Sequence, residues 1–276
     1  MKLAVPIFSN DGEIYNEVET RKPKSKVLTR AYEVMQKEGA FSAMVEFLSG
    51  CISSITSIDG KIIDNPNLIR RLSGLMPYVS AEAVSLEIIG TLNKDDVIDG
   101  IYTCPRCGEK IIGEYDPRTG LDTRDKVSDL GVSMLKENEY INEIAVTPEE
   151  PVKFYNKKTG EVIQTVEHFS VRYPTLNDCI ISSRGMQKGE EVRVQLKIYS
   201  QSLLKVNGEI ADDKWKKMWG NLLFDELYPE DIAQIGNILQ NLGIEKTVEK
   251  VCNNCGKVWE ATVNTSNFFA SGLQPA

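Results

Sequence analysis

The sequence predicts an α+β protein in which helical segments alternate with β-hairpins. Apolar residues at helical spacing, short alternating stretches bounded by turn residues, and two distant Cys-x-x-Cys-Gly motifs indicate this class. The 276-residue chain begins with a hairpin and helices, residues 1–97. Two halves of a cysteine-bearing strand unit follow at 98–116 and 247–264. Between these halves lie a charged linker with a hairpin insertion, 117–174, and a second helical region, 175–246, and the chain continues after them as a tail, 265–276.

The first region combines a hairpin with helices. Residues 1–20 alternate between apolar and polar around an Asn-Asp-Gly turn, which is typical of a hairpin. Apolar residues at helical spacing predict a helix over residues 26–56, with a break at Gly39. Two more helices are predicted to begin at Pro66 and Ser80.

The middle of the chain is more mixed. Residues 117–139 are rich in charge and predict a linker. Residues 152–172 predict a hairpin, and a helix is expected to begin near Leu176. Residues 192–206 fit both a strand and a helix, and we favour the helix. Further helices are predicted over residues 212–227 and 231–242.

Two cysteine pairs share one pattern, Cys104-Pro-Arg-Cys107 and Cys252-Asn-Asn-Cys255, each followed by glycine and a β-prone stretch. Two intervening residues let both thiolates of a pair approach one tetrahedral ion, and the glycine turns the chain back. Two such knuckles supply the four ligands of a structural Zn²⁺ site, the zinc ribbon. The sequence therefore predicts a Cys₄ zinc ribbon from two knuckles that are 144 residues apart.

Other interpretations of the cysteines stay open. The knuckles could join two chains, although their complementary pattern favours one chain, and iron could replace zinc. A redox pair would need a βαβ setting, whereas strands are predicted on both sides of each motif. A catalytic zinc keeps an open position and often uses histidine. The single histidine, His168, is remote in sequence, and an ordinary role on a strand is favoured for it.

Several other residues have simpler explanations than function. The core accounts for four of them: Cys51, Cys179, Trp215 and Trp219. Phe268 and Phe269 in the tail either contact the protein itself or bind a partner.

Composition and motifs exclude several classes of function. A net charge of −8 argues against non-specific binding to nucleic acid, which requires Lys and Arg to neutralise phosphates. Neither a phosphate-binding glycine loop nor the common hydrolase and metalloprotease motifs are present, so a non-enzymatic protein is expected. Signal-peptide and membrane-spanning patterns are also absent, and we expect a cytoplasmic protein without a membrane partner.

The order of the motifs resembles a known family. A helical segment precedes a Tyr-x-Cys-Pro-x-Cys-Gly knuckle, and a second Cys-x-x-Cys-Gly knuckle and a Phe-Phe pair close the chain. The segments that carry the resemblance, besides the knuckles, are residues 41–52, Trp215 to Gly220, Asp231-Ile232, Gly243-Ile244 and Phe268-Phe269. This arrangement resembles the baseplate-hub and tail-assembly proteins of contractile-tailed bacteriophages, the T-even baseplate protein family.

The resemblance implies a role in virion morphogenesis. Such a protein would be a baseplate hub component or a tail assembly chaperone, and it would bind other tail and baseplate proteins. It would work in the host cytoplasm during assembly and could remain in the virion.

A zinc-ribbon module that binds nucleic acid or acts in transcription is the alternative function. It would need basic and aromatic residues around the knuckles. From Asp99 to Asp116 two basic residues stand against four acidic ones, and from Glu245 to Glu260 three lysines balance three glutamates. The charges therefore favour protein partners.

Overall fold

The structure, a computed structural model, describes residues 1–91, 98–115, 142–185, 189–240 and 247–262. Its helices are α1 (Ser25–Glu38), α2 (Ala40–Cys51), α3 (Pro66–Leu75), α4 (Tyr78–Gly90), α5 (Leu176–Ser183), α6 (Glu191–Ser202), α7 (Asp213–Trp215), α8 (Asn221–Asp225) and α9 (Pro229–Gln240). The predicted linker at 117–139 and the tail at 265–276 lie outside the described residues. No helix in the described part of the chain is long and apolar enough to cross a membrane.

The strands complete an α+β fold, as predicted. They are β1 (Lys2–Phe8), β2 (Ile14–Thr20), β3 (Ile52–Ser57), β4 (Ile62–Ile63), β5 (Ile98–Thr103), β6 (Lys110–Tyr115), β7 (Ile144–Val146), β8 (Val152–Tyr155), β9 (Val162–Val166), β10 (Phe169–Val171), β11 (Leu203–Val206), β12 (Glu209–Ile210), β13 (Thr247–Val251) and β14 (Val258–Thr262). Two sheets have four strands, in the orders β1-β2-β3-β4 and β12-β11-β10-β7. The pairs β5-β6, β8-β9 and β13-β14 form three separate two-stranded sheets.

The predicted helix over residues 26–56 is wrong at its C-terminal end. A break at Gly39 is confirmed, but α2 ends at Cys51 and the chain continues as β3, antiparallel to β2. Ile52 and Ile55 lie at helical spacing from the apolar face of α2, and they also lie on the buried side of a strand. The Ile-Ser-Ser-Ile-Thr-Ser sequence is rich in poor helix formers, and this favours the strand.

Helices α3 and α4 begin close to their predicted positions. The Asn65 side chain accepts hydrogen bonds from the N–H groups of Asn67 and Leu68, and Pro66 occupies the first turn of α3. Helix α4 begins at Tyr78, two residues earlier than predicted, because the Tyr78 N–H donates to the Pro174 carbonyl.

Strand β1 lies between the two hydrophobic cores of the body. Leu3 and Ile7 belong to the first core, which is formed by α1 to α4 and the first sheet, whereas Val5 belongs to the second core. The Ser80 hydroxyl of α4 accepts a hydrogen bond from the Val5 N–H and donates to the Val5 carbonyl, both at 2.8 Å. The free edge of β1 is therefore capped by a side chain.

The second half of the predicted hairpin over 152–172 is divided between two sheets. Strand β9 ends at Val166, and β10 joins the second four-stranded sheet. The Asn207 side chain accepts hydrogen bonds from the N–H groups of Glu167 and His168 and donates to the Thr165 carbonyl. These bonds hold the bend between the two strands.

The helical predictions for the C-terminal half are correct in part. Residues 192–206 are helix α6 up to Ser202, but the last four form strand β11. A π-helical turn, Lys216–Gly220, interrupts the predicted helix over 212–227. Gly220 packs closely on α6, because a Cβ there would lie 2.6 Å from the Ser200 hydroxyl.

Helix α5 connects the two cores. Its N-cap, Thr175, forms a capping box with Asp178, which also forms a two-bond ion pair with Arg172 at 2.6 and 2.8 Å. Leu176 packs in the first core. Thr175 bridges to Pro77 before α4, so the two halves of the body share hydrogen bonds as well as apolar contacts.

Candidate metal centre

Each cysteine knuckle is the turn of an antiparallel strand pair. In the first, the Cys104 N–H donates to the Glu109 carbonyl at 2.8 Å, and the Gly108 N–H donates to the Cys104 carbonyl at 3.0 Å. The second repeats this pattern, with bonds from Cys252 to Lys257 and from Gly256 to Cys252. Gly108 and Gly256 have φ of +73° and +67°, which glycine adopts without strain.

The two knuckles face one another, and their four sulfurs form one cluster. The Cys104 and Cys255 Sγ atoms are 3.7 Å apart, the Cys107 and Cys252 Sγ atoms are 3.6 Å apart, and all four lie within 4.8 Å of one another. All four belong to one chain. The prediction that the two distant knuckles come together is therefore confirmed.

The spacing of the sulfurs fits a tetrahedral metal ion. A Zn–S bond of about 2.3 Å in a regular tetrahedron places sulfurs about 3.8 Å apart. The two measured pairs are within a few tenths of this value, and both are far longer than the roughly 2.05 Å of a disulfide. The four cysteines are thus positioned to bind one metal ion such as zinc.

Accessibility differs among the four ligands. Cys104 and Cys252 are buried, Cys255 is partly buried and Cys107 is exposed. The Asn254 side-chain amide lies 3.8 Å from the Cys107 sulfur and is oriented to donate to it. The first cysteine of each knuckle is therefore shielded from water, and the opposite side of the cluster is open to it.

The pKa values of two thiols in the cluster, Cys104 and Cys255, are shifted in opposite directions. Burial opposes ionisation of Cys104, but the N–H groups of Cys107 and Arg106 and the neighbouring thiols lower its pKa to about 7. The Lys257 N–H favours ionisation of Cys255, yet burial and the other three thiols raise its pKa to about 12. A divalent ion would favour ionisation of Cys255, because its positive charge stabilises the thiolate form.

A cation–π contact joins the two knuckles, and the sequence interpretation missed it. The Lys250 Nζ lies 4.6 Å from the ring centre of buried Tyr102. Each of these residues stands two positions before the first cysteine of its knuckle. Residues two apart on a strand share a face, so Tyr102 lies on the side of Cys104 and Lys250 on the side of Cys252. Their equivalent positions were the signal from which this contact could have been predicted.

The remaining residues considered from sequence lie elsewhere. Cys51 and Cys179 are buried, and burial raises the pKa of each thiol to about 12, so both are inert core residues. Trp215 and Trp219 pack against the second core, as expected. His168 is exposed in the bend between β9 and β10. Phe268 and Phe269 lie outside the described residues.

The fold and the cluster define the class of protein: an α+β protein with a zinc-ribbon-like site assembled from two distant knuckles. No family model, curated protein or solved structure matches the chain. The function therefore has to be argued from the geometry and from the resemblance in motif order.

Proposed function

We propose that the protein is a non-enzymatic assembly protein in which structural Zn²⁺ closes the ribbon. The observation that carries the proposal is the closed cluster of four thiols, drawn from positions 144 residues apart. Four cysteine ligands leave a tetrahedral ion no open position for substrate or water. The metal then acts on the structure of the chain and not on a reaction.

Zinc is the metal we favour. Cys₄ sites with tetrahedral geometry bind Zn²⁺ or iron, and both ions match thiolate ligands. A structural role suits zinc because it has no redox chemistry. Iron is the alternative ion for the same four ligands.

The proposed role is the morphogenesis of contractile phage tails, as a baseplate hub component or a tail assembly chaperone. The order of knuckles and helices supports this role through its resemblance to the T-even baseplate protein family. The net charge of −8 also favours protein partners over nucleic acid. The protein would act in the host cytoplasm during assembly and could stay in the virion.

Charge near the cluster gives little support to the nucleic-acid alternative. The Lys250 ammonium, on the strand that leads to the second knuckle, is engaged with the Tyr102 ring. Among the described residues of β13, β14 and their turn, two lysines balance two glutamates. The nucleic-acid alternative would be favoured if the purified protein were retained on a DNA column and if this retention weakened as salt was added.

Two measurements test the proposal. Native mass spectrometry is expected to show one zinc ion per chain, lost on acid denaturation with four thiols freed. Purified tail and baseplate proteins of the phage that encodes the chain are expected to include at least one that binds it. A metal-free chain with disulfide-bonded knuckles would contradict the zinc site, and no binding to any of these proteins would contradict the assembly role.

A further inference from the structure

The β8-β9 hairpin has an apolar outer face. Tyr155, Val162 and Ile163 are 55%, 50% and 52% exposed. Tyr155 and Val162 are paired across the two strands, and Ile163 follows Val162 where the register shifts, so the three exposed residues are neighbours on the hairpin. Single exposed apolar residues are ordinary, but a contiguous group on one hairpin indicates a contact surface.

The inner face and the turn hold this hairpin in place. Val152, Phe154 and Val166 are buried in the second core, and the Phe154 ring centre lies 4.9 Å from that of Trp219. In the turn, the Asn156 side-chain oxygen accepts hydrogen bonds from two backbone N–H groups. A surface that is already ordered loses little conformational entropy on binding.

The hairpin is also a basic element in an acidic protein. Lys153, Lys157 and Lys158 are exposed, and no carboxylate in the described part of the chain lies within ion-pair distance of them. The Glu161 carboxylate accepts a hydrogen bond from the Thr159 hydroxyl. Residues 152–166 therefore carry a net charge of +2 within a chain of net charge −8.

We propose that the outer face of this hairpin binds a partner protein, and that the partner's contact surface is an apolar strip with carboxylates at its rim. The inference rests on the proposed assembly function and assigns the surface that performs it. Complementary charge selects this partner, because lysines beside an apolar patch attract carboxylates at the rim of an interface. A symmetric pair of hairpins from two copies would instead bring like charges together.

The test uses two variants of the full chain. Tyr155→Thr/Val162→Thr/Ile163→Thr removes the apolar surface but keeps strand propensity, and Ile62→Thr on β4 is its control, since Ile62 is 65% exposed on the other sheet. Lys157→Glu/Lys158→Glu reverses the charge of the turn. Its control is Lys22→Glu/Lys24→Glu, which makes the same change in net charge at exposed positions.

Binding is measured by biolayer interferometry against each purified tail and baseplate protein of the encoding phage. Both hairpin variants are expected to lose about tenfold or more in affinity for the protein that binds wild type, and the controls about twofold or less. The charge reversal is also expected to slow association and to weaken its salt dependence.

Three outcomes overturn the inference. If both hairpin variants bind as tightly as wild type, the hairpin is not the binding surface, and the proposed assembly function is unaffected. A dimer of the wild type, detected by light scattering and lost in the threonine variant, assigns the face to a second copy. A wild type that binds none of the tail proteins removes the assembly function and this inference together.

Discussion

The body of the protein and its ribbon are stabilised in different ways. The body has two apolar clusters, with fully buried side chains such as Phe47, Leu48, Phe169 and Phe224. The ribbon consists of two separate two-stranded sheets, β5-β6 and β13-β14, and none of its residues whose side chains are described belongs to either cluster. One chain therefore combines a stable apolar fold with a unit that depends on another source of stability.

A bound metal ion would supply the stability that the ribbon lacks. A single two-stranded hairpin is marginally stable in water. In the ribbon, Val251 and Val258 are paired across the strands, yet both are about half exposed. Metal binding in structural zinc sites contributes about 10 kcal/mol or more, which exceeds what these few contacts provide. The comparison predicts that metal loss acts on the ribbon and core mutations act on the body.

The largest expected effect comes from removing a ligand. Cys252→Ala is expected to abolish stoichiometric metal binding, a loss of about 10 kcal/mol of binding free energy, and to leave the body folded. Native mass spectrometry and thermal unfolding measure the two consequences. Cys51→Ala is the matched control, because Cys51 is fully buried in the first core. It should retain the metal and lower the stability of the body by about 1 kcal/mol.

Unchanged metal content in Cys252→Ala would contradict the four-cysteine site. Loss of the cooperative unfolding transition in the same variant would contradict the independence of the body from the ribbon.

The next largest effect is expected in the body, at the ion pair between Asp178 and Arg172. Asp178→Asn leaves the Arg172 guanidinium without its carboxylate and is expected to cost about 3 kcal/mol, because the pair is largely buried. Burial opposes ionisation of Asp178, but the hydrogen bonds and charge of Arg172 outweigh it and hold its pKa below the usual 3.8. The pair therefore stabilises the fold above about pH 4, and its contribution falls as the pH drops through the lowered pKa.

Chemical denaturation at pH 7 and below pH 4 measures this effect, and metal content should not change at pH 7. Glu143→Gln is the control, since the Glu143–Lys205 pair is more exposed and should contribute about 1 kcal/mol or less. Equal losses in the two variants would show that burial does not strengthen the Arg172 pair.

The smallest effect sharpens the description of the ribbon. Lys250→Met removes the cation from the Tyr102 ring and is expected to cost about 0.5–1 kcal/mol, or a few-fold in metal affinity. Competition with a chelator measures this change. Lys257→Met on the same hairpin is the control, because Lys257 is exposed and has no such ring contact in the described residues. An equal loss in both variants would make the effect one of net charge.

Local patterns in the sequence predicted the ribbon well. The Cys-x-x-Cys-Gly spacing specifies a turn, its glycine conformation and the direction of both thiols, so Cys104 and Cys252 could be assigned from a few residues each. Strand β3 was missed because Ile52 and Ile55, three residues apart, fit helical spacing, and they are both buried in β3 only because the strand register shifts beside Ile52. Serine and β-branched residues in that segment were the signal that could have decided it.

Long-range packing could not be predicted in the same way. The alternation of β1 indicates one buried face, yet Leu3 belongs to the first core and Val5 to the second, in a stretch where the register of β1 is irregular. This arrangement requires a second core to form from buried residues that are 139 or more positions away from Val5. The hydrogen bonds between Val5 and Ser80 likewise depend on how α4 approaches the sheet, and no local motif encodes that approach.

The convergence of Cys107 and Cys252 has a topological consequence. A metal ion that both cysteines bind would close the 144 residues between them into a loop. The second core is built largely from residues inside that loop. A protease cut within the exposed turn at 157–160 would leave two fragments still connected through the ion. The ion would thus act as a reversible cross-link of the backbone, one that a chelator removes.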